Sequence, residues 1–268
     1  MVSDIDGTLL DSGNRLTPAV VRAIERVRQA GLRVCLASGR SGVLLEPIRR
    51  NLGLTTPFIA CGGAYAADPE RGAVILDAPI PQESARRAVT VARAHGLGVL
   101  FEEPHAAWIE ADADTTRRVL ELTGGRVTPT ADLLSQPGAL PRKITLMGGF
   151  EALQRTRRAL DGRDPALHVV FSTAVYLDIT LPGVNKGTAL ERLTRYLGVP
   201  LERTVAIGDG PNDLEMFERA GLSVAMANAP PHVRAAAQWV APAHDEDGVA
   251  WAMHALLGDS AEAWEREA

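Results

Sequence analysis

The stretch Asp4-Ile5-Asp6-Gly7-Thr8-Leu9-Leu10 sets two carboxylates two residues apart at the end of a short strand, with a glycine directly behind them. An extended segment sends alternate side chains to the same side, so Asp4 and Asp6 are able to address one ligand, and Gly7 lets the chain turn sharply. Ligands of open α/β sheets collect at the carboxyl ends of the strands, which is where this pair falls. Taken alone, the stretch is also compatible with a plain turn, for which Asp-Gly is a common sequence.

Outward from this point the chain alternates short apolar strands with amphipathic helices, the pattern of an α/β protein with a parallel sheet. Thr17 is placed to cap a helix with Pro18 at its first position, Val20, Val21, Ile24 and Val27 as its buried face, and Gly31 at its end. A strand is predicted over residues 32–37. In the C-terminal part, a helix over 187–196 turns Leu190, Leu193 and Leu197 inward. A strand over 204–207, a helix from Pro211, a strand over 222–226 and a final helix over 248–257 follow. The middle differs: helices near 82–95, 114–122 and 150–160 separate strands near 98–101, 143–147, 168–172 and 176–180. Two α-β-β passages are suggested there, forming a smaller α/β insert. The tail over 260–268 reads as a frayed helix end.

Three further polar stretches sit at the ends of predicted strands or at helix starts. Ser38-Gly39-Arg40 brings a hydroxyl and a backbone N–H to a second strand end, although a lone Ser-Gly is ordinary loop. Lys186 precedes a helix, where the helix dipole disfavours positive charge; a phosphate partner explains it, and a solvated lysine is the plainer alternative. Gly208-Asp209-Gly210-Pro211-Asn212-Asp213 ends an apolar strand and opens a helix with two acids and an amide in one turn. Capping by Asp209 and dipole pairing by Asp213 is its purely structural reading.

Composition narrows the class. With 268 residues, 46% of them hydrophobic, the chain has enough apolar content for one large or two smaller cores. No apolar run approaches the ~20 residues of a membrane helix, and Met1-Val2-Ser3-Asp4 lacks the features of a signal peptide, so a cytoplasmic location and no membrane partner are expected. A net charge of −5 argues against a nucleic-acid surface, whereas a small anionic substrate needs only local positive charge. Basic residues are nearly all arginine; lysine occurs only at positions 143 and 186, which makes each one worth asking about. Cys35 and Cys61 lie in apolar stretches and read as buried reduced thiols.

Taken together, the four polar stretches resemble the four motifs of the haloacid dehalogenase superfamily, in order. The resemblance extends through Tyr176-Leu177-Asp178-Ile179-Thr180, Lys186-Gly187, residues 220–229 and Asp245-Glu246-Asp247-Gly248-Val249-Ala250, looks like the Cof-type subgroup, and covers nearly the whole chain. Asp6 and Ser38 are close in sequence while Ser38 and Lys186 are far apart, so the cap is the insert after the second motif. The resemblance implies a Rossmann-like, three-layer core over residues 1–81 and 183–268 and a cap over about 82–182.

What the resemblance implies for chemistry is a phosphatase acting on small phosphorylated metabolites through an aspartyl-phosphate. Asp4 is the nucleophile, and Asp6 donates a proton to the leaving oxygen and then activates water. Magnesium is the expected cofactor, held by Asp4, the Asp6 carbonyl and Asp209, with Asp213 supporting from behind. Ser38, the Gly39 and Ile5 N–H groups, Lys186 and Asn212 hold phosphate oxygens. The cap sets substrate choice while the core does the chemistry. A phosphomutase on the same core, or a non-catalytic sensor of magnesium and phosphate, are the alternatives. The partner is a small phosphate ester; the oligomeric state is not legible.

Two departures from the family pattern stand out. Only Met1 to Ser3 precede Asp4, so the first strand is unusually short or the chain truncated, and Gly62-Gly63-Ala64 stands where Asn-Gly-Ala is common. The histidines (95, 105, 168, 232, 244, 254) lack metal-ligand spacing, Arg155, Arg157 and Arg158 read as a solvated helix face, and Trp108, Trp239, Trp251 and Trp264 read as packing, with substrate stacking the alternative for Trp108 in the cap.

Overall fold

A computed structural model describes residues 1–136 and 140–258, so Trp264 and the tail over 260–268 lie outside the described residues. In chain order the first elements are β1 (Val2–Ser3), α1 (Pro18–Gln29), β2 (Cys35–Leu36), α2 (Gly42–Asn51), β3 (Phe58–Ala60), β4 (Tyr65–Asp68) and β5 (Ala73–Asp77). Next come α3 (Gln82–Ala94), β6 (Gly98–Glu102), β7 (Ala107–Glu110), α4 (Ala113–Thr123), β8 (Thr128–Pro129), β9 (Lys143–Met147), α5 (Phe150–Leu160), β10 (His168–Thr173) and β11 (Tyr176–Thr180). The chain closes with α6 (Lys186–Leu197), β12 (Val205–Gly208), α7 (Leu214–Phe217), β13 (Leu222–Met226), α8 (Pro231–Ala236), β14 (Trp239–Ala241) and α9 (Gly248–Leu256).

Five strands form a parallel sheet in the order β14-β13-β12-β1-β2. Its strands are apolar on both faces. Leu36, Ile207 and Val224 enter the core shared with α1 and α9, while their neighbours Cys35, Ala206 and Ala225 enter the core shared with α6, α7 and α8. A period of two sends consecutive residues to opposite faces, and helices cover both, which is the condition for a buried parallel sheet. The three-layer α/β core expected from the sequence is therefore present. Thr17 caps α1, its side chain accepting the Val20 N–H at 3.2 Å, with Pro18 at the first helical position. Val21, expected to be buried, is partly exposed and packs at the core's margin, while Ala23 takes a place in the interior.

The second sheet has the order β10-β11-β9-β6-β7-β8 and is antiparallel except for the β7–β8 pair. Ile144 and Leu146 of β9, with Val99 and Phe101 of β6, face α3 and α5. The alternate residues Lys143, Thr145 and Met147, with Leu100 and Glu102, occupy the other face, where Leu100 and Met147 pack with Leu44 of α2. Sequence reading found four of these six strands and missed β7 and β8. It also missed the three-stranded antiparallel sheet β3-β4-β5, and it gave β2 six residues where two pair in a ladder. The helix expected from Pro211 is a single 3₁₀ turn, Pro211–Asp213, followed by the one-turn α7. No helix among the described residues is long and apolar enough to cross a membrane.

Candidate active site

β2, β1 and β12 are neighbours in the parallel sheet, and the chain leaves them through Ser38, Asp4 and Asp209. Asp4 extends β1, its N–H donating to the Ile207 carbonyl at 2.9 Å. The following loop coils tightly, with the Leu9 and Leu10 N–H groups both donating to the Ile5 carbonyl. Gly7 takes a left-handed φ of 75°, and a Cβ there would meet Asp209 Oδ2 at 2.4 Å, so both backbone conformation and the approach of a carboxylate demand glycine.

Lys186 opens α6 behind Asn185, which caps the helix in a reciprocal box with Thr188. Its ammonium is 0% exposed and donates to Oδ1 of Asp4 and Oδ1 of Asp213, each at 2.6 Å. Burial opposes its charge, but Asp213 and Asp4 outweigh burial and hold Lys186 above the usual lysine range. The second oxygen of Asp213 accepts the N–H groups of Asp209 and Gly210 at 3.1 and 2.9 Å, so this carboxylate is engaged on both sides. Gly208 makes room for it, since a Cβ there would meet the Asp213 carboxylate at 2.4 Å. Burial pushes the Asp4 carboxyl well above the usual range, with Lys186 pulling against it, and burial also raises Asp209, whose Oδ1 accepts the Thr8 hydroxyl at 2.8 Å.

Oxygens of Asp4, Asp209 and Asp213 lie within 4.8 Å of one another. Three carboxylates around one ammonium leave an excess of negative charge in a largely buried place, and every donor is a hard oxygen. That donor set fits a small divalent cation such as magnesium. Asp213 is already satisfied by protein donors, which leaves Asp4 and Asp209 to face a cation.

Ser38 is fully buried and its Oγ accepts the Arg40 N–H at 3.1 Å, leaving the hydroxyl proton to be donated elsewhere. Gly39 is partly exposed; its carbonyl accepts Nζ of Lys143, from β9, at 2.7 Å. The Arg40 guanidinium grips both oxygens of the exposed Asp6, with Nε to Oδ2 at 2.9 Å and Nη2 to Oδ1. Ile5 is buried, its side chain in the apolar core between the two acids. Asn212 is exposed on its 3₁₀ turn, and among the described residues no hydrogen bond joins it to the Asp4–Lys186 cluster.

Four residues around the site had no role assigned from sequence. Thr8 and Arg40 lie inside the quoted motifs, where adjacency was their signal. Asn228, whose Nδ2 donates to the Gly7 carbonyl at 2.8 Å, lies in a stretch that had no assigned role. Lys143 had the rarity of lysine in this chain to recommend it. No histidine belongs to the acidic cluster among the described residues, although His244 acts on Asp209 through its charge, and Arg155, Arg157 and Arg158 are exposed on α5 as expected. A cavity of about 780 Å³ lies between α2, β4 and Pro104-His105; none of the site residues lines it.

Comparison with known proteins identifies the family. The sequence profile of the haloacid dehalogenase-like hydrolases matches residues 1–253. The chain is 28% identical to the pyridoxal phosphate phosphatase YbhA of Escherichia coli (strain K12), over 95% of this chain and 97% of the relative. It is 31% identical to a phosphoglycolate phosphatase of Methanoculleus marisnigri (strain ATCC 35101 / DSM 1498 / JR1), over 92% of each chain. A solved haloacid dehalogenase-like hydrolase from Bacteroides thetaiotaomicron superposes with a TM-score of 0.89 at 27% identity, covering 95% of this chain and 98% of that one. The resemblance read from the motifs is thus borne out: the chain belongs to the haloacid dehalogenase-like hydrolase family.

Proposed function

We propose that this chain is a magnesium-dependent phosphatase that hydrolyses small phosphorylated metabolites through an aspartyl-phosphate, an acyl phosphate on Asp4. The observation that carries the reading is the Lys186 ammonium bridging Asp4 and Asp213 at 2.6 Å beside Asp209, at the ends of adjacent parallel strands. Asp4 is the acceptor of the phosphoryl group. Its attack on phosphorus breaks the bond to the leaving oxygen, which takes a proton from Asp6. Asp6 then removes a proton from water as the water attacks the same phosphorus, releasing Asp4 and inorganic phosphate. Arg40 holds both oxygens of Asp6, so proton delivery requires one of these contacts to open.

Asp4, the Asp6 carbonyl and Asp209 are the proposed magnesium ligands, with Asp213 behind them; the bound ion supplies charge neutralisation at the phosphate. Ser38 donates its hydroxyl proton, and the Ile5 and Gly39 N–H groups, Lys186 and Asn212 complete the phosphate cradle. Asn212 has to turn inward from its exposed position to take part. We place the cap at about residues 82–182 and the core on either side. The family names among the relatives, phosphatases of pyridoxal phosphate and of phosphoglycolate, support a small phosphate monoester as substrate without choosing between them.

The test is release of inorganic phosphate from a panel of sugar phosphates, pyridoxal phosphate and phosphoglycolate, with magnesium and with chelator. Turnover with magnesium that chelation abolishes supports the reading. Absence of turnover on every ester, with folded protein and magnesium present, sinks it.

A further inference from the structure

On the inward face of the second sheet, cross-strand register sets Glu102 of β6 against Lys143 of β9, and Thr145 of β9 against Asp178 of β11. Glu102 and Lys143 are both buried, a costly place for charge unless each is paired. They are paired with each other at 2.8 Å, and Thr145 Oγ1 bonds both Glu102 Oε2 and Asp178 Oδ1, at 3.1 and 2.8 Å. Each charged group also reaches out of its own sheet to the loop that follows β2. Lys143 Nζ donates to the Gly39 carbonyl at 2.7 Å, and the Ser41 N–H donates to Glu102 Oε1 at 3.1 Å.

These two bonds seize successive peptide units of that loop. The Gly39–Arg40 peptide has its carbonyl on Lys143 and its N–H on Ser38 Oγ, so a single rigid plane connects the lysine to the serine hydroxyl. A cation on the carbonyl polarises the same peptide and strengthens the bond its N–H donates. With one lone pair of Ser38 occupied in this way, its proton is confined to the two remaining tetrahedral positions. We propose that Lys143, held by Glu102, is a positioning residue for phosphoryl transfer: it reaches from the second sheet to fix the Gly39–Arg40 peptide and, through it, the phosphate-facing hydroxyl of Ser38. The inference rests on the reading of Ser38 and Gly39 as phosphate-holding groups. It also changes the division of labour expected from sequence, since a residue outside the core helps to set the core's chemistry.

The experiment uses the full chain with Lys143→Met and Glu102→Gln combined, which removes both buried charges at once. Binding of inorganic phosphate with magnesium, and hydrogen exchange of the segment 38–42 against β12 as reference, are measured in parent and variant. Phosphate binding on the order of 10-fold weaker, the scale of one hydrogen bond, together with faster exchange in 38–42 and unchanged exchange in β12, is the expected result. Faster exchange with unchanged phosphate affinity overturns the proposal, because the link is then only glue between sheets. Weaker binding with unchanged exchange overturns it as well, because the effect then bypasses the loop. If the double variant does not fold, Lys143→Gln, one atom too short to keep its contact with Gly39, carries the same expectations. The exchange arm reads the loop contact even in a protein without turnover, so failure of the proposed phosphatase activity is distinguishable from failure of the link.

Discussion

Lys186 donates to Asp213 at 2.6 Å with both side chains at 0% exposure, so the ammonium that addresses Asp4 is anchored from behind by a second, fully enclosed carboxylate. Asp213 in turn is held by the N–H groups of Asp209 and Gly210. The strand ends carrying the proposed nucleophile and metal ligand are thereby tied to one side chain. Asp213→Asn keeps the shape and removes the charge. Breaking one partner out of a buried ion pair costs about 3–5 kcal/mol; because Asp4 still faces Lys186, a loss toward the lower end is expected in thermal or chemical unfolding. Turnover should fall on the order of 10²-fold as Lys186 loses its aim. A variant as stable and as active as the parent would show that the Lys186–Asp213 contact does neither job.

Asp4→Asn and Asp6→Asn separate chemistry from architecture. The amide at position 4 is nearly isosteric and a far poorer nucleophile, so turnover is expected to vanish. Burial raises the Asp4 carboxyl, which means that the ionised group costs stability in the metal-free protein above its folded titration range. The metal-free Asp4→Asn variant sheds this cost but also loses the Lys186 contact, and with Asp213 still holding the ammonium it is expected to melt close to the parent. Asp6 is exposed and forked by Arg40, so its substitution should cost at most about 1 kcal/mol of stability while slowing turnover ~10²-fold or more. Wild-type turnover in Asp4→Asn would end the nucleophile assignment.

The parts of the fold that were legible in sequence are those where periodicity had room to repeat. Helices α1, α3, α4, α5 and α6 span more than ten residues with caps or apolar stripes, and β9, β11 and β13 are continuous β-favouring runs, whereas the ten-residue α2, without a side-chain cap and with Pro47 inside it, was missed. The sheet β3-β4-β5 was hidden because its strands are short and rich in alanine, Ala60, Ala66, Ala67 and Ala73 among them, a residue with little strand preference. β8 contains Pro129 and survives only as a two-residue edge. β2 is short because its ladder extends only as far as β1, its partner. At the site, the acids and Lys186 were legible from motif and spacing. The placement of Lys143 was not, because only the antiparallel register of β6 and β9 brings it beside Glu102 and under Gly39.

Acidification should loosen the second sheet's helical cover in a defined window. Arg93 of α3 forks Glu110 of β7 at 2.6 and 2.7 Å and also reaches Asp132 at 2.5 Å. The Arg93 bonds hold Glu110 below its ordinary 4.5 and Asp132 below its ordinary 3.8. A depressed carboxylate contributes stability that is present above its unfolded value and lost as pH falls through the folded one. The contribution is full at neutral pH, begins to fall near 4.5 and is gone only once pH has passed below the depressed folded values. Arg93 is 37% exposed, so screening limits its pair with Glu110 to about 1 kcal/mol. Arg93→Met should lower the neutral-pH melting temperature by roughly 2–4 °C, and the gap to the parent should close on acidification. A gap that persists at acid pH would assign the effect to packing of the arginine stem.

Gly62 occupies a left-handed conformation, φ 66° and ψ 19°, with nothing within 4 Å of the place a Cβ would take. Glycine and asparagine are the residues that adopt this region at least cost, which explains how one replaces the other here without disturbing the backbone. Its N–H donates to the Ser38 carbonyl at 3.0 Å, so position 62 adjoins the proposed phosphate loop. Gly62→Asn is expected to leave stability within about 0.5 kcal/mol, the left-handed cost offset by the smaller entropy of the unfolded chain. Gly62→Val, β-branched, should lose about 1–2 kcal/mol or more at the same site. The added amide enters open space near the proposed phosphate loop, where it is available to a bound substrate. The expected signature is a changed ranking of kcat/KM among sugar phosphates, with hydrolysis of p-nitrophenyl phosphate close to that of the parent. If the ranking stays as it was while the variant folds normally, position 62 does not face the leaving group. Substrate choice would then have to be sought on the inward face of the second sheet, where Asp178 and Thr145 meet.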